Sequence, residues 1–423
     1  MVENSSQLKF EQLRFFHEDK KNDLIKAVFL KHYSFTFNLS ELKLKDVKIS
    51  ENSISSKDSE KSLNNTFSKI LNKGFQSLTN NITKRRTIYI HKNSDIPLIG
   101  TNTFGIVDRN TNCIEIKPLT GCNLNCIYCS VDEGNIDETG KKFDFLVEKD
   151  YLVSEIVRLA GLKHKTEQGL EIHIGPQGEP LLYPEITGLI KDISNIDGIK
   201  RISMDTNGLL LSEKFADELV DAGLTRFNIS LNSMNKVLCD KISNRKYNLD
   251  RLVKMIKYIE DNHASSGRCE IIIAPVLLSG LNDSDKELDN LINFAKKLSG
   301  LKSGIKIGIQ NFLEYKNGRN PVKQKSWEEF YDILKKMEEK HGIKLILDAD
   351  DFNIVKNDVL KKPFKKDDII KAEIVCQGSY PDEKIGASNN RAITIHDCKQ
   401  AHGPIRLRIV RDKHNVFDAV TTK

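Results

Sequence analysis

Between about Thr87 and Phe352, short β-rich runs alternate with stretches in which apolar residues recur at helical spacing. The runs are IEIK (114–117), LEIHI (170–174), KRISM (200–204), RFNISL (226–231), EIIIAPVLL (270–278) and IKIGIQNF (305–312). The pattern predicts helices at about 148–162, 184–196, 212–222, 235–260, 284–298 and 326–341. In the last, Trp327, Phe330, Ile333, Leu334 and Met337 fall at helical spacing. Six β-then-α units in order predict an α/β fold of parallel strands with right-handed crossovers. Periodicity alone leaves two architectures, an open doubly wound sheet or an incomplete barrel.

The flanks have a different texture. Residues 1–85 mix short apolar runs with polar stretches and predict an α+β extension, with a strand near Phe35–Leu44 and a helix near Thr66–Leu78. Within it, ISENSISSKDSEKSLNN (49–65) has few large apolar residues and is expected to be a low-complexity loop. No chemical motif marks residues 1–85. After the 86–352 core, residues 353–368 are expected to be a charged linker, its end reading NDVLKKPFKKDD (357–368). Short β-type runs then return without helices at 369–376, 391–397 and 405–412, so residues 369–423 predict a small β-barrel.

Composition adds exclusions. Of 423 residues, 39% are hydrophobic and 29% charged, as in a water-soluble chain. No window approaches 18 uninterrupted apolar residues, so no membrane span is expected. Met1–Phe10 lacks the basic-then-apolar order of a secretion signal, and eight cysteines are too sparse for a disulfide scaffold. A cytoplasmic location is expected. Residues 356–423 hold 14 Lys and Arg against 9 Asp and Glu, an excess of five within a net charge of +6. That placement suits a polyanionic partner for the tail.

The candidate chemistry lies just after the first run of the core. Thr120-Gly-Cys122-Asn-Leu-Asn-Cys126-Ile-Tyr-Cys129 sets three thiols at C-x3-C-x2-C. Thiolates are soft ligands that suit an iron–sulfur cluster or zinc. Three of them on one loop can hold three corners of a cubane and leave the fourth iron open, with Tyr128 packed beside it. The alternative is structural zinc with Cys113 as fourth ligand, although such sites usually pair two ligand sets and no second set is present.

With Cys122, Cys126 and Cys129 following the first strand of six β/α units, residues 100–345 resemble the radical S-adenosylmethionine superfamily. The resemblance implies a partial (β/α)6 TIM-like barrel, a [4Fe–4S] cluster on those three cysteines, and S-adenosylmethionine (SAM) chelated by the unique iron. Gly175-Pro-Gln-Gly178-Glu179-Pro180 stands where the family carries a GGEP-type motif that contacts the methionine amino group, with the glycine pair split here. Asp205-Thr-Asn207-Gly208 is similar to the family's turn after the third strand. Ser230 and Asn232 are similar to residues that reach the ribose or carboxylate. Ile272–Asn282 looks like the segment that cradles adenine, and Gln310 and Asn311 close the sixth strand. Barrel sites lie at the C-terminal ends of the strands, where these motifs fall. The resemblance assigns no residue to the chemical step on the substrate.

The tail is similar to a TRAM module, an OB-like barrel appended to RNA-modifying enzymes. This implies RNA, tRNA in particular, as a partner, with Arg391, Arg406, Arg408, Arg411 and Lys413 tracking phosphates. The whole plan resembles archaeal-type radical enzymes with such a tail. No cysteine precedes Cys113, and only Cys376 and Cys398 follow the core, so the second cluster of a methylthiotransferase is not expected. The activity implied is one-electron cleavage of SAM to a 5′-deoxyadenosyl radical and hydrogen abstraction from substrate, with ferredoxin or flavodoxin as electron donor. RNA modification leads. A small metabolite, lipid or peptide substrate with the tail as a lid comes second, and a zinc-containing RNA-binding protein third.

Overall fold

The computed structural model describes residues 5–422 except 20–22, 135–139 and 176; Pro176 of the Gly-Glu-Pro segment thus lies outside the described residues. The chain forms two compact units, one running to Ile90 and including Lys142–Leu146, the other comprising the rest. The sequence boundary at 85/86 therefore moves past the strand Arg86–Ile90.

The first unit is α+β, as expected. One sheet orders Phe143–Val147, Arg86–Ile90, Thr79–Asn80, Tyr33–Asn38, Leu24–Phe29 and Leu13–Asp19. Ile25, Ala27 and Phe29 alternate into its core, where Phe29, Phe75 and Tyr89 pack edge to face or tilted. The expected low-complexity loop at 49–65 is instead ordered. Lys48–Ser50 and Ser53–Ser56 form a hairpin, and Glu60–Gln76 is a helix capped by Ser59, whose hydroxyl accepts from Ser62 N at 3.3 Å. The serines that read as solvated coil are spent on the backbone: Ser56 Oγ donates to Lys45 O at 2.8 Å, beside the fully buried Ile54.

The second unit carries the six β/α units. Its main sheet orders β1 (Gly105–Asp108), β2 (Cys113–Lys117), β3 (Leu170–Ile174), β4 (Ile199–Thr206), β5 (Arg226–Ile229) and β6 (Glu270–Ile273). β1 is antiparallel, and β2 to β6 are parallel in chain order. The run at 270–278 breaks after β6, because Pro275 has no N–H for the ladder. Val276–Leu277 (β7) then pairs with Gln310–Asn311 (β8), all that remains of the sixth run apart from a bridge between Ile273 and Ile307. The helices are α1 (Lys149–Ala160), α2 (Ile186–Ser194), α3 (Glu213–Asp221), α4 (Lys236–Ser243), α5 (Leu249–Ile259), α6 (Asp285–Ala295) and α7 (Trp327–His341). The single helix expected over 235–260 is two, since Asn244 turns left-handed at φ 48° and Asn248 caps α5.

The tail closes into a five-stranded barrel of β9 (Ile369–Gln377), β10 (Lys384–Ser388), β11 (Arg391–His396), β12 (Gly403–Arg411) and β13 (Asp418–Thr421). Ile374, Ile393, Ile395, Leu407, Ile409 and Phe417 fill it. Residues 353–368 are not a free linker. Val355 exchanges backbone and side-chain hydrogen bonds with Asn112, and Phe364 is buried in the barrel. Nor is the barrel a separate body: Ala392 N donates to Ile99 O (2.8 Å), Phe417 N to Gly100 O (2.7 Å), and Thr101 and Thr394 share a hydroxyl bond (2.9 Å). Among the described residues, no helix is long and apolar enough to cross a membrane.

Candidate functional site

The loop after β2 carries Cys122, Cys126 and Cys129, all free and partly buried. Its shape is set from four sides. Lys141, itself buried, donates to Thr120 O (2.9 Å) and pairs with Glu133 (2.8 Å). Arg319, from the segment after β8, donates to Asn125 O (2.6 Å) and to the Asn125 side chain and forms an ion pair with Asp132 (3.0 Å). Asn125 N and Ile127 N donate to carbonyls at the end of α4. Gly178 sits at φ +74°, and a Cβ there would lie 2.8 Å from Gly121 O, so only glycine lets this turn approach the cysteine loop. Neither Lys141 nor Arg319 carries a sequence signal, because each acts on a loop distant from it in sequence.

The Gly-Glu-Pro turn and the Thr-Asn-Gly turn meet at Glu179. Its buried carboxylate accepts from Thr206 Oγ1 (2.6 Å), Leu181 N (3.1 Å) and Asn207 N (2.8 Å). Burial pushes its carboxyl up to about 7, against those three hydrogen bonds. Pro180 opens the short buried turn that follows. Asn207 Nδ2 continues the chain to Asn123 Oδ1 in the cysteine loop (2.9 Å). Asn232 donates to the Tyr128 hydroxyl (3.0 Å) and accepts from Val276 N (2.8 Å), tying the loop to β7. A pocket of about 20 Å³ brings Ser230, Asn232, Asn207, Tyr128 and Cys126 to one place.

Two further expected contacts, Asp205 and Arg391, are held by their own partners. Asp205, near the end of β4 and against Gly175, is held by Asn228 Nδ2 (2.8 Å) and His173 Nε2 (3.2 Å). Burial alone would raise its carboxyl, but the charge and hydrogen bond of His173 outweigh it and hold it below the usual range. It belongs to a buried network with Glu171, Arg226 and Ser203, polar residues at alternate positions of β3, β4 and β5 that share one sheet face. Arg391 is buried as well, its guanidinium spent on Asn390 O, Lys361 O and Asn415 Oδ1, so it is no phosphate contact. Arg406, Arg408, Arg411 and Lys413 are exposed, while Leu407 and Ile409, alternating with the first two arginines, turn inward.

A cleft of about 570 Å³ opens beside the cysteine loop. Tyr128, Cys129, Gln310 and Phe312 face it from the β/α units, and Tyr380, Glu383, His396 and Asp418 face it from the tail.

The donor set fits an iron–sulfur cluster. Burial raises all three thiols, Cys126 to about 12, so bare thiolates are costly here and bound metal offsets that cost. Among the described residues, no three His, Cys, Asp or Glu side chains converge as ligands of one ion. A cubane needs no such convergence, since each cysteine binds its own iron. Cys113 cannot complete a zinc site, because it begins β2 and lies about 13 Å, four strand residues, from the end that leads into the loop.

Residues 116–295 match the Radical SAM superfamily. The chain is 36% identical over 378 residues to an uncharacterised protein of Methanocaldococcus jannaschii, a match that covers 83% of this chain and 85% of that one. It is 34% identical over 179 residues to the GTP 3′,8-cyclase of Peptoclostridium acidaminophilum, covering 42% of this chain and half of the cyclase. A solved radical SAM methyltransferase from Sphaerobacter thermophilus aligns with 80% of this chain and 77% of its own length, at a TM-score of 0.41 and 15% identity. The chain belongs to the radical SAM superfamily. It is an enzyme of that class, with a [4Fe–4S] cluster and SAM as its cofactors.

Proposed function

We propose that Cys122, Cys126 and Cys129 hold the cluster, and that this enzyme acts on a substrate held in the cleft between the cysteine loop and the C-terminal barrel. The observation that carries the reading is the convergence of the C-x3-C-x2-C loop, the Glu179 turn and the Asn207 turn at one end of the parallel strands, beside the 570 Å³ cleft. Bound at Cys122, Cys126 and Cys129, the cluster together with SAM would supply one-electron radical chemistry at the substrate, with the electron coming from a low-potential donor such as ferredoxin or flavodoxin. Glu179 supplies the negative charge for the methionine ammonium, and Gly178 lets its turn reach the loop. Arg319 and Lys141 fix the cysteine backbone. Gln310 and Tyr128 face the space in which the nucleoside and substrate meet. Anaerobic protein given SAM and a chemical reductant is expected to form 5′-deoxyadenosine, and Cys126→Ala none; formation by the variant overturns the assignment.

A second reading, tRNA as the substrate and an OB-like TRAM barrel as its grip, draws on one observation. Arg406 and Arg408 project from the same face of β12, with Lys413 exposed nearby in sequence. If that face tracks phosphates, Arg406→Ala/Arg408→Ala lowers tRNA affinity in filter binding and reduces the salt slope by about two units. Equal binding and slope remove this reading.

A further inference from the structure

The C-terminal barrel does more than sit beside the core. Three hydrogen bonds lock it to Ile99–Thr101, and Gly100, at φ +131°, passes so close to Ala392 that a Cβ would lie 2.1 Å from its carbonyl oxygen. The barrel side of the cleft is therefore a fixed wall. On it, His396 stands between two carboxylates, with Nδ1 3.7 Å from Glu383 and Nε2 3.4 Å from Asp418. The Tyr380 hydroxyl is buried without a hydrogen-bond partner, which costs free energy unless something else satisfies it. Across the cleft stand Arg109, Lys117 and Lys316. Glu115, behind the first two, pairs with both, and Arg411 pairs with Asp418. Four Lys and Arg side chains thus stand with three carboxylates around a partly enclosed space, and a cleft with an excess of positive charge attracts anions.

We infer that the barrel is the substrate-recognition wall of the enzyme, with Tyr380 and His396 as its hydrogen-bonding contacts, and that the substrate is a small anionic molecule, a carboxylate or phosphate, neutralised by Arg109 and Lys316. This rests on the radical SAM reading of the adjoining cysteine loop. The cleft volume lies within the range of small-molecule sites, roughly 300–1,000 Å³. A folded RNA would reach it only by turning one nucleotide out of its stack.

The test uses full-length protein, reconstituted anaerobically, with SAM and dithionite, and reads 5′-deoxyadenosine. Three probes are added separately: the anion-exchange-retained and unretained pools of a low-molecular-mass extract from cells that naturally make the protein, and bulk tRNA. The retained pool is expected to stimulate product severalfold over the substrate-free rate. Tyr380→Phe, which removes one oxygen, and His396→Gln are expected to raise the amount of pool needed for half-maximal stimulation about tenfold. Iron content of the same samples separates a lost cluster, which would undermine the radical SAM reading, from lost recognition. Stimulation by tRNA or the unretained pool alone, by no probe at all, or equally in both variants overturns the inference.

Discussion

Arg319 shows how much of the site is held by residues that touch no cofactor. Its guanidinium joins Asn125 and Asp132, flanking Cys126 and Cys129 on the loop, from a segment nearly 200 residues away. Arg319→Ala leaves the Asp132 carboxylate and the Asn125 carbonyl without that donor, at a cost of about 1–3 kcal/mol. The expected outcome is faster amide hydrogen exchange across 122–132 in the metal-free protein and fewer irons retained after reconstitution; unchanged exchange contradicts the role. Glu179 makes a second prediction. With its carboxyl near 7, falling pH adds a proton and removes the charge offered to the methionine ammonium. SAM affinity, measured by calorimetry on reconstituted protein, is expected to weaken as pH falls through about 7, and Glu179→Gln to flatten that dependence with weaker binding throughout. The cysteines and the Gly-Glu-Pro turn were legible because each motif is local in sequence. Arg319, Lys141 and His396 were not, because their meaning lies in partners brought by the fold.

At the scale of elements, most core strands and helices follow from period-2 and period-3.6 patterns. The departures have local causes: Pro275 ends β6, and Asn244 with Asn248 splits one expected helix into α4 and α5. The strand Phe143–Val147 was invisible, since it completes a sheet whose other strands end at Ile90. In the tail, β10 (KIGAS) and β13 (DAVT) carry too few apolar residues to be read as strands, yet the barrel closes only with them. Turn geometry supplies the prediction here. Gly178→Ala must force a Cβ into Gly121 O at a left-handed φ, at a cost of about 1–3 kcal/mol. It is expected to lower both the melting temperature and iron retention; a variant that melts lower yet keeps its iron would separate the turn from the site.

At the scale of the molecule, the second unit is one body from the β/α core through the barrel. Taking the tail as a separable module predicts that truncation after Phe352 leaves the cluster and SAM cleavage intact. The hydrogen bonds from Ala392 and Phe417 to Ile99 and Gly100 predict the opposite. Truncation exposes those carbonyls and opens the cleft, and the shortened chain is expected to melt lower and lose product formation. A truncated protein that melts and cleaves SAM as the full chain does would restore the modular picture. Beneath all of these lies one cubane held by Cys122, Cys126 and Cys129. Iron and acid-labile sulfide should be counted on anaerobically reconstituted full-length protein, beside the Cys122→Ala/Cys126→Ala/Cys129→Ala variant. About four of each per chain is expected for the wild type, and near none for the variant. About eight irons in the wild type, or a full cluster in the variant, would contradict it.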